Sequence, residues 1–435
     1  MAEGDLTEEP GSSTRPSSPC AHKAHLQELW DLPALDSRSE AILSPGELPR
    51  PAGELIQIGN GNSLASSGGT LVRLPGRLED SQRCLRNLEC WAYALLSESY
   101  MRARPGSPTW MLRAYYALRP LVPRRFQLML RRFYAKSRAA KAVLRWPIDG
   151  LYVALAEAYL AVRLESSERS ALSVARRWPV GYRAGATLTH DVEGAVGQSK
   201  CRDVAALEES KGFRSSFNFV AERYRVDIAL MEELRARGFE IGLHGIKHDG
   251  KKFSSRRVFD QRVRRLAHYR DAWGVEGFRS PATHRRWDWM PELPFAYDSS
   301  YPDTDPFEPL PGGCGSPWPF RLGDLVELPI TMPQDHTSWE ILRQPALGLW
   351  RSKVDWLVRC GGLINIVVHP DYLNNSTRWN EYEAFLDVIR ATTDVWVQVP
   401  KAIARWWRER TQHRELVTLQ QVGDNLCLVF GHLTA

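Results

Sequence analysis

The order of apolar and polar positions changes period along the chain. From about Gln82 to Arg177 apolar residues recur at spacings of three and four, as in CLRNLECWAYALLSESYMRA and MLRAYYALRPLVPRRFQLMLRRFYAKSRAAKAVLRW, with prolines as punctuation. That period predicts a helical region. Past RRWPVGYRAG, short apolar runs alternate with helical segments. AGATLT (184–189), RSSFNFV (214–220), GFEIGL (238–243), VEGFR (275–279), LVELPIT (325–331), LINIVV (363–368) and DVWVQV (394–399) read as strands. The segments between them, such as DIALMEELRARG and SSRRVFDQRVRRLAHYRDAWG, carry helical periodicity. Parallel strands joined by helices are the simplest arrangement, and seven such strands come close to a closed barrel.

The ends of the chain read differently. The first 75 residues or so are rich in Gly, Ser, Pro and charge, and are expected to be largely disordered with one short helix near AHLQELWDL. A tail ending ELVTLQQVGDNLCLVFGHLTA predicts a hairpin around Gly423 and Asp424. The division is therefore 1–75, largely disordered; 76–178, helical; 179–408, α/β; and 409–435, a tail. No internal repeat is visible.

Composition changes this picture little. A chain of 435 residues with 43% hydrophobic content can bury a sizeable core in two or three domains. Its longest apolar runs, such as LINIVVHP, fall short of the roughly 20 residues that cross a bilayer. MAEGDLTEEPGSSTRPSSP has no basic stretch leading into an apolar one, so a cytoplasmic protein is expected. The seven cysteines form no CxxC, which speaks against a zinc ribbon or a disulfide framework.

The middle helices carry Arg113, Arg119, Arg124, Arg125, Arg131, Arg132, Lys136, Arg138, Lys141 and Arg145 among aromatics. They read first as a solvated face, and secondly as a surface for peripheral contact with anionic lipid or polymer. A nucleic-acid role is not expected: the net charge of +6 is mild and no DNA- or RNA-binding motif accompanies it.

The candidate chemistry lies at the ends of the predicted strands. The first runs into His190, Asp191 and Glu193, the third into His244 and His248, the fourth into Arg279, and the sixth into His369. In α/β barrels the C-terminal rim of the strands gathers catalytic groups from distant parts of the chain. Each residue also has a bland reading: loop histidines bonded to carbonyls, acids capping the next helix, an arginine in a structural pair. Four coincidences at one rim weigh against that. A zincin is excluded, because Gly245 stands where HExxH needs glutamate and the loop is glycine-rich. Asp303, Asp335 and His336, in DSSYPDTDP and LPITMPQDH, are further polar positions with either a groove contact or loop capping as their role.

LTHDVEG, HGIKH, FRSP and VVHP, in this order, resemble the motifs of the metal-dependent polysaccharide deacetylase family, the group of the NodB chitooligosaccharide deacetylases and carbohydrate esterase family 4. The resemblance spans roughly residues 183–407. It implies a distorted, incomplete (β/α) barrel holding a divalent metal, usually zinc and sometimes cobalt or nickel. His244 and His248 match the metal-binding histidines, Asp191 the base, Arg279 the arginine that orients it, and His369 the late histidine that serves as acid. The family's first motif is commonly TFDD. Here it reads THDVE, so Val192 occupies the usual ligand position, and a variant form with separated acids gives that place to Glu193. Gly245 and Ala282 also depart from the family's usual residues. The implied activity is hydrolysis of acyl groups, N- or O-acetyl, from a carbohydrate or cell-envelope polysaccharide. Two alternatives stay open: a glycan-binding barrel without catalysis, suggested by Val192, and a membrane-surface scaffold built on the basic helices.

Overall fold

A computed structural model describes residues 25–33, 55–57, 63–74, 81–102, 132, 139, 142–167 and 169–431. The basic run read as a lipid-facing surface lies outside the described residues except for Arg132 and Arg145. Among the described residues no helix is long and apolar enough to cross a membrane.

In chain order the strands are β1 (Leu55–Gln57), β2 (Ser63–Ala65), β3 (Leu71–Arg73), β4 (Leu172–Ala175), β5 (Ala184–Val192), β6 (Ser216–Phe219), β7 (Glu240–Leu243), β8 (Gly277–Phe278), β9 (Tyr297–Asp298), β10 (Phe320–Leu322), β11 (Leu325–Glu327), β12 (Leu363–Val367), β13 (Val395–Val397), β14 (Arg414–Val422) and β15 (Asn425–Gly431). The larger sheet runs β10-β11-β9-β8-β7-β6-β5-β12, with β13 also beside β5. Every pair in it is parallel except β10 with β11. Helices Ala195–Ser210, Ile228–Ala236, Arg256–Trp273, Leu347–Cys360 and Ser376–Ala391 lie between its strands, and Pro400–Glu409 follows β13. The fold is mixed α/β, a curled and incomplete (β/α) barrel with a helical region ahead of it.

Strands β5, β6, β7, β11 and β12 are buried at every residue. That is why each reads as a near-continuous apolar run instead of an alternating one. β12 ends the ladder, and no strand pairing joins it to β11. Instead the segment after β11 lies along it, with Met332 N–H donating to Asn365 O at 3.1 Å and Asn365 N–H donating to Thr331 Oγ1 at 3.0 Å. The curled sheet is thus drawn together by a loop while remaining open as a ladder. β9 and β10 escape sequence reading because two or three residues cannot display a period.

A second sheet, β1-β3-β2-β15-β14-β4, joins the two ends of the chain. β14 and β15 form a hairpin that turns at Gly423 and Asp424, where Gly423 has φ +58°. The first 75 residues, expected to be largely disordered, contribute to the core where they are described. Leu26, Trp30, Leu64 and Val72 are fully buried. Trp30 donates its indole N–H to Ala156 O at 3.1 Å, and the first turn of helix His25–Trp30 is capped from afar, Leu26 and Gln27 N–H donating to the Glu89 carboxylate at 2.9 and 2.8 Å. The short helix expected near AHLQELWDL is present, but its partners lie more than sixty residues away, so no local pattern announces that it docks into the core. Trp30→Ala is expected to lower stability by about 3–5 kcal/mol through the cavity it leaves. Chemical denaturation checks this: an unchanged midpoint would show the helix undocked in solution.

Candidate metal centre and its polar surround

Alternation along β5 sorts its terminal residues. Thr189 and Asp191 both meet the buried Arg279, whose Nη1 lies 2.7 Å from Thr189 Oγ1 and 3.3 Å from Asp191 Oδ1. His190 points the other way. Its Nδ1 lies 2.8 Å from Val368 O, its Nε2 lies 2.8 Å from Glu208 Oε1, and its ring stacks on Phe217. It is a satisfied core histidine and takes no part in the rim group. Val192 is fully buried in the core. The first side chain past β5 is Glu193, and it is this acid that reaches the histidines.

The turn after β7 is shaped by backbone conformation. Gly245 has φ +72°, and a Cβ there would come within 2.6 Å of Pro281 Cγ, which accounts for glycine at this place in the HGIKH motif. His248 itself has φ +52°, a left-handed conformation disfavoured for residues with a Cβ and frequent at functional sites.

The turn delivers two imidazoles beside Glu193. Oε1 of Glu193 is 2.8 Å from His248 Nε2, 4.0 Å from His244 Nε2 and 3.8 Å from His369 Nε2. His244 Nδ1 lies 3.2 Å from Arg279 O, which leaves its Nε2 turned to the group. The Nε2 atoms of His244 and His248 are both buried without a hydrogen-bond partner; the short approach of His248 to Glu193 is not aligned as one. Ligand atoms of Glu193, His244 and His248 lie within 4.8 Å of one another. Burial pushes His244 down to about 4, so it is a neutral imidazole, the form that ligates. Glu193 is held well below the usual carboxylate range: burial opposes ionisation, but His248, His369 and His244 outweigh it. Two orphaned imidazole nitrogens and a carboxylate are a donor set for a divalent ion of borderline softness, and this group can hold one.

Around this trio the polar groups are locked. Burial would raise Asp191, but His244, Arg279 and His369, with an Asn218 hydrogen bond, more than offset it and hold it at about 2. Its Oδ1 accepts from Asn218 Nδ2 at 3.0 Å and from Arg279, while Oδ2 lies 3.7 Å from His244 Nδ1. Arg279 is fixed by Ser299, donating from Nε to Ser299 O at 2.8 Å and from Nη2 to Ser299 Oγ at 2.7 Å.

His369, just past β12, is gripped by Asp335. Its N–H donates to Oδ2 at 2.7 Å, and its Nδ1 lies 2.8 Å from Oδ1. Burial alone would depress His369, but Asp335 chiefly, with Glu193 and Asp191, lifts it to about 10.

The structure therefore brings Asp191, Glu193, His244, His248, Arg279 and His369 into one connected group and adds Asn218, Ser299 and Asp335. Asp335 stood in the sequence only as a polar position. A lone aspartate in PQDH also caps a turn, and it does so here, accepting from His336 N–H at 2.6 Å. The π-helix His336–Leu342 follows directly, an uncommon element that clusters at functional sites. His336 sits one ring away, its centroid 5.5 Å from Tyr372, which in turn lies 5.1 Å from His369. Asp303 instead forms a buried pair with Lys353 at 2.5 Å.

No family model and no curated protein matches the chain. Over about half its length its structure is similar to solved polysaccharide deacetylases and related proteins. A Mycobacterium smegmatis protein assigned as a polysaccharide deacetylase shares 21% identity with a TM-score of 0.43, covering 54% of this chain and 94% of its own. The PuuE allantoinase shares 14% identity and a TM-score of 0.42 over 54% of this chain and 93% of its own. The chitin deacetylase of the fungal pathogen Colletotrichum lindemuthianum shares 11% identity and a TM-score of 0.35 over 52% of this chain and 88% of its own.

Proposed function

We propose that this chain is a metal-dependent hydrolase that removes acyl groups, N- or O-acetyl, from a carbohydrate or cell-envelope polysaccharide. The observation that carries the reading is the pair of buried, unpartnered Nε2 atoms of His244 and His248 beside Glu193, with an ionised Asp191 and a protonated His369 on either side. The THDVE, HGIKH, FRSP and VVHP motifs supply the substrate class. Glu193, His244 and His248 would hold the ion, zinc in the first instance, with cobalt or nickel as alternatives. When bound, such an ion supplies Lewis acidity, polarising a carbonyl and acidifying water.

The remaining steps belong to the protein. Asp191 is ionised at neutral pH, and its Oδ1 is already engaged by Asn218 and Arg279, so Oδ2 is the atom free to accept a proton from the attacking water. Arg279, immobilised by Ser299, keeps that carboxylate charged and aimed. His369 carries a proton, and with Nδ1 held by Asp335 its Nε2 is the donor for the departing amine or alcohol. The non-catalytic, glycan-binding alternative was suggested by Val192; the Glu193 carboxylate beside His244 and His248 supports the catalytic reading instead.

His369→Ala is expected to keep the metal and to lose about 10²-fold or more on an acetamido sugar, because an amine leaves poorly without a proton. It should lose far less on an aryl acetate, whose phenolate leaves unaided. Initial rates on the two substrates measure the contrast, and equal losses would remove His369 from the role of acid.

A further inference from the structure

The loop 280–286, between β8 and β9, forms one wall of the turn that carries His244 and His248. Pro281 seats on Gly245, and His284 Nδ1 lies 3.2 Å from Gly250 O. The loop holds an unfavourable shape, with Ala282 at φ +51° and Thr283 at φ +52°, left-handed conformations that need external support in residues with a Cβ.

That support comes from outside the barrel. Arg285 donates from Nε to Glu98 Oε2 at 2.6 Å and from Nη2 to Glu98 Oε1, while its Nη1 donates to Thr283 O at 2.9 Å. The pair is largely shielded from water, with side-chain exposures of 1% for Arg285 and 13% for Glu98. Glu98 follows the helix Ser81–Leu96 and has φ +54° itself. Its own segment is wedged in place: Tyr100 Oη donates to Gly313 O at 2.8 Å, and a Cβ on Gly312 would come within 2.8 Å of Glu98 Oε1. A bidentate arginine–carboxylate pair in this setting fixes geometry as well as charge.

We infer that Glu98 is a positioning residue for the metal centre. The helical region holds the strained 280–286 loop through the Glu98–Arg285 pair, and the loop in turn holds the His244–His248 turn in ligating shape. The helical region is then part of the site's architecture and not a separate attachment. This inference rests on the metal-binding reading above.

The test is zinc affinity of the full-length chain, measured by competition with a chromophoric chelator alongside thermal melting. Glu98→Gln is expected to weaken zinc binding by about 10–100-fold, the usual effect of removing a group that orients ligands from behind. Glu157→Gln alters another buried carboxylate of the helical region, which accepts from Ser67 N–H at 2.8 Å, and serves as the control. It should lower the melting temperature and leave zinc affinity within about twofold of wild type, as a change that does not touch the clamp would. Should Glu98→Gln fail to fold, Arg285→Lys keeps the charge, loses the fork and reads the same quantity. Wild-type affinity in a folded Glu98→Gln protein overturns the inference, and so does an equal loss in Glu157→Gln. A wild type that takes up no zinc, or a His244→Ala variant that takes up as much, overturns the metal reading itself, a result distinct from failure of the clamp.

Discussion

Asp191→Asn is expected to retain the divalent ion and to lose turnover by about 10²-fold or more. Asparagine keeps the shape of the side chain and its contacts with Asn218 and Arg279, but it cannot accept the proton of the attacking water. The site charges sharpen the expectation. Asp191 is held at about 2, so the base is available across the working range and its loss cannot be restored by raising the pH. Glu193→Gln should behave in the opposite order, with the metal weakening first and activity recovering in part when the ion is supplied in excess. Metal content and initial rate, measured on both variants, separate the two acids. Loss of metal from Asp191→Asn with Glu193→Gln still loaded would show the roles reversed.

His244→Ala or His248→Ala is expected to abolish stoichiometric uptake of the divalent ion, because each removes one of three protein ligands. His244 is the more sensitive of the two. It is nearly inaccessible, and its Nδ1 is tied to Arg279 O, so its removal also disturbs the backbone that bears the arginine. Elemental analysis of dialysed protein reads the result, and full metal content in both variants would dismiss the site. Circular dichroism belongs beside it, since the turn is left-handed at Gly245, next to His244, and at His248 itself.

The barrel strands were legible because they are buried on both faces. LINIVV and AGATLT read as strands without any alternation, which a one-sided sheet would have shown. β9 was not legible: Tyr297 and Asp298 are two residues in a stretch of buried serines and acids, and their strand character comes from the ladders on either side.

The six rim residues were found because each ends a run that reads as a strand. His190 was placed at that rim by its position in sequence alone. Period-two alternation puts it on the opposite face from Asp191, against Glu208 and Phe217. Asp335 was underread because its partner His369 lies 34 residues on, and nothing local separates an aspartate that grips a histidine from one that caps a turn. The N-terminal helix was legible near AHLQELWDL, but its burial in the core was not, for a related reason. Its apolar face is short, and its partners Glu89 and Ala156 are supplied by helices far along the chain. Segments whose stability is wholly tertiary leave little trace in local composition.

The most direct measurement of the central claim is acetate release from acetylated saccharides by metal-depleted protein, assayed before and after one divalent ion at a time is returned. The account expects no release from the depleted chain, and restoration by zinc, or by cobalt or nickel, that saturates at about one ion per chain. Protein that carries its ion at that stoichiometry and still releases no acetate from any acetylated saccharide, or depleted protein as active as the loaded form, would contradict it.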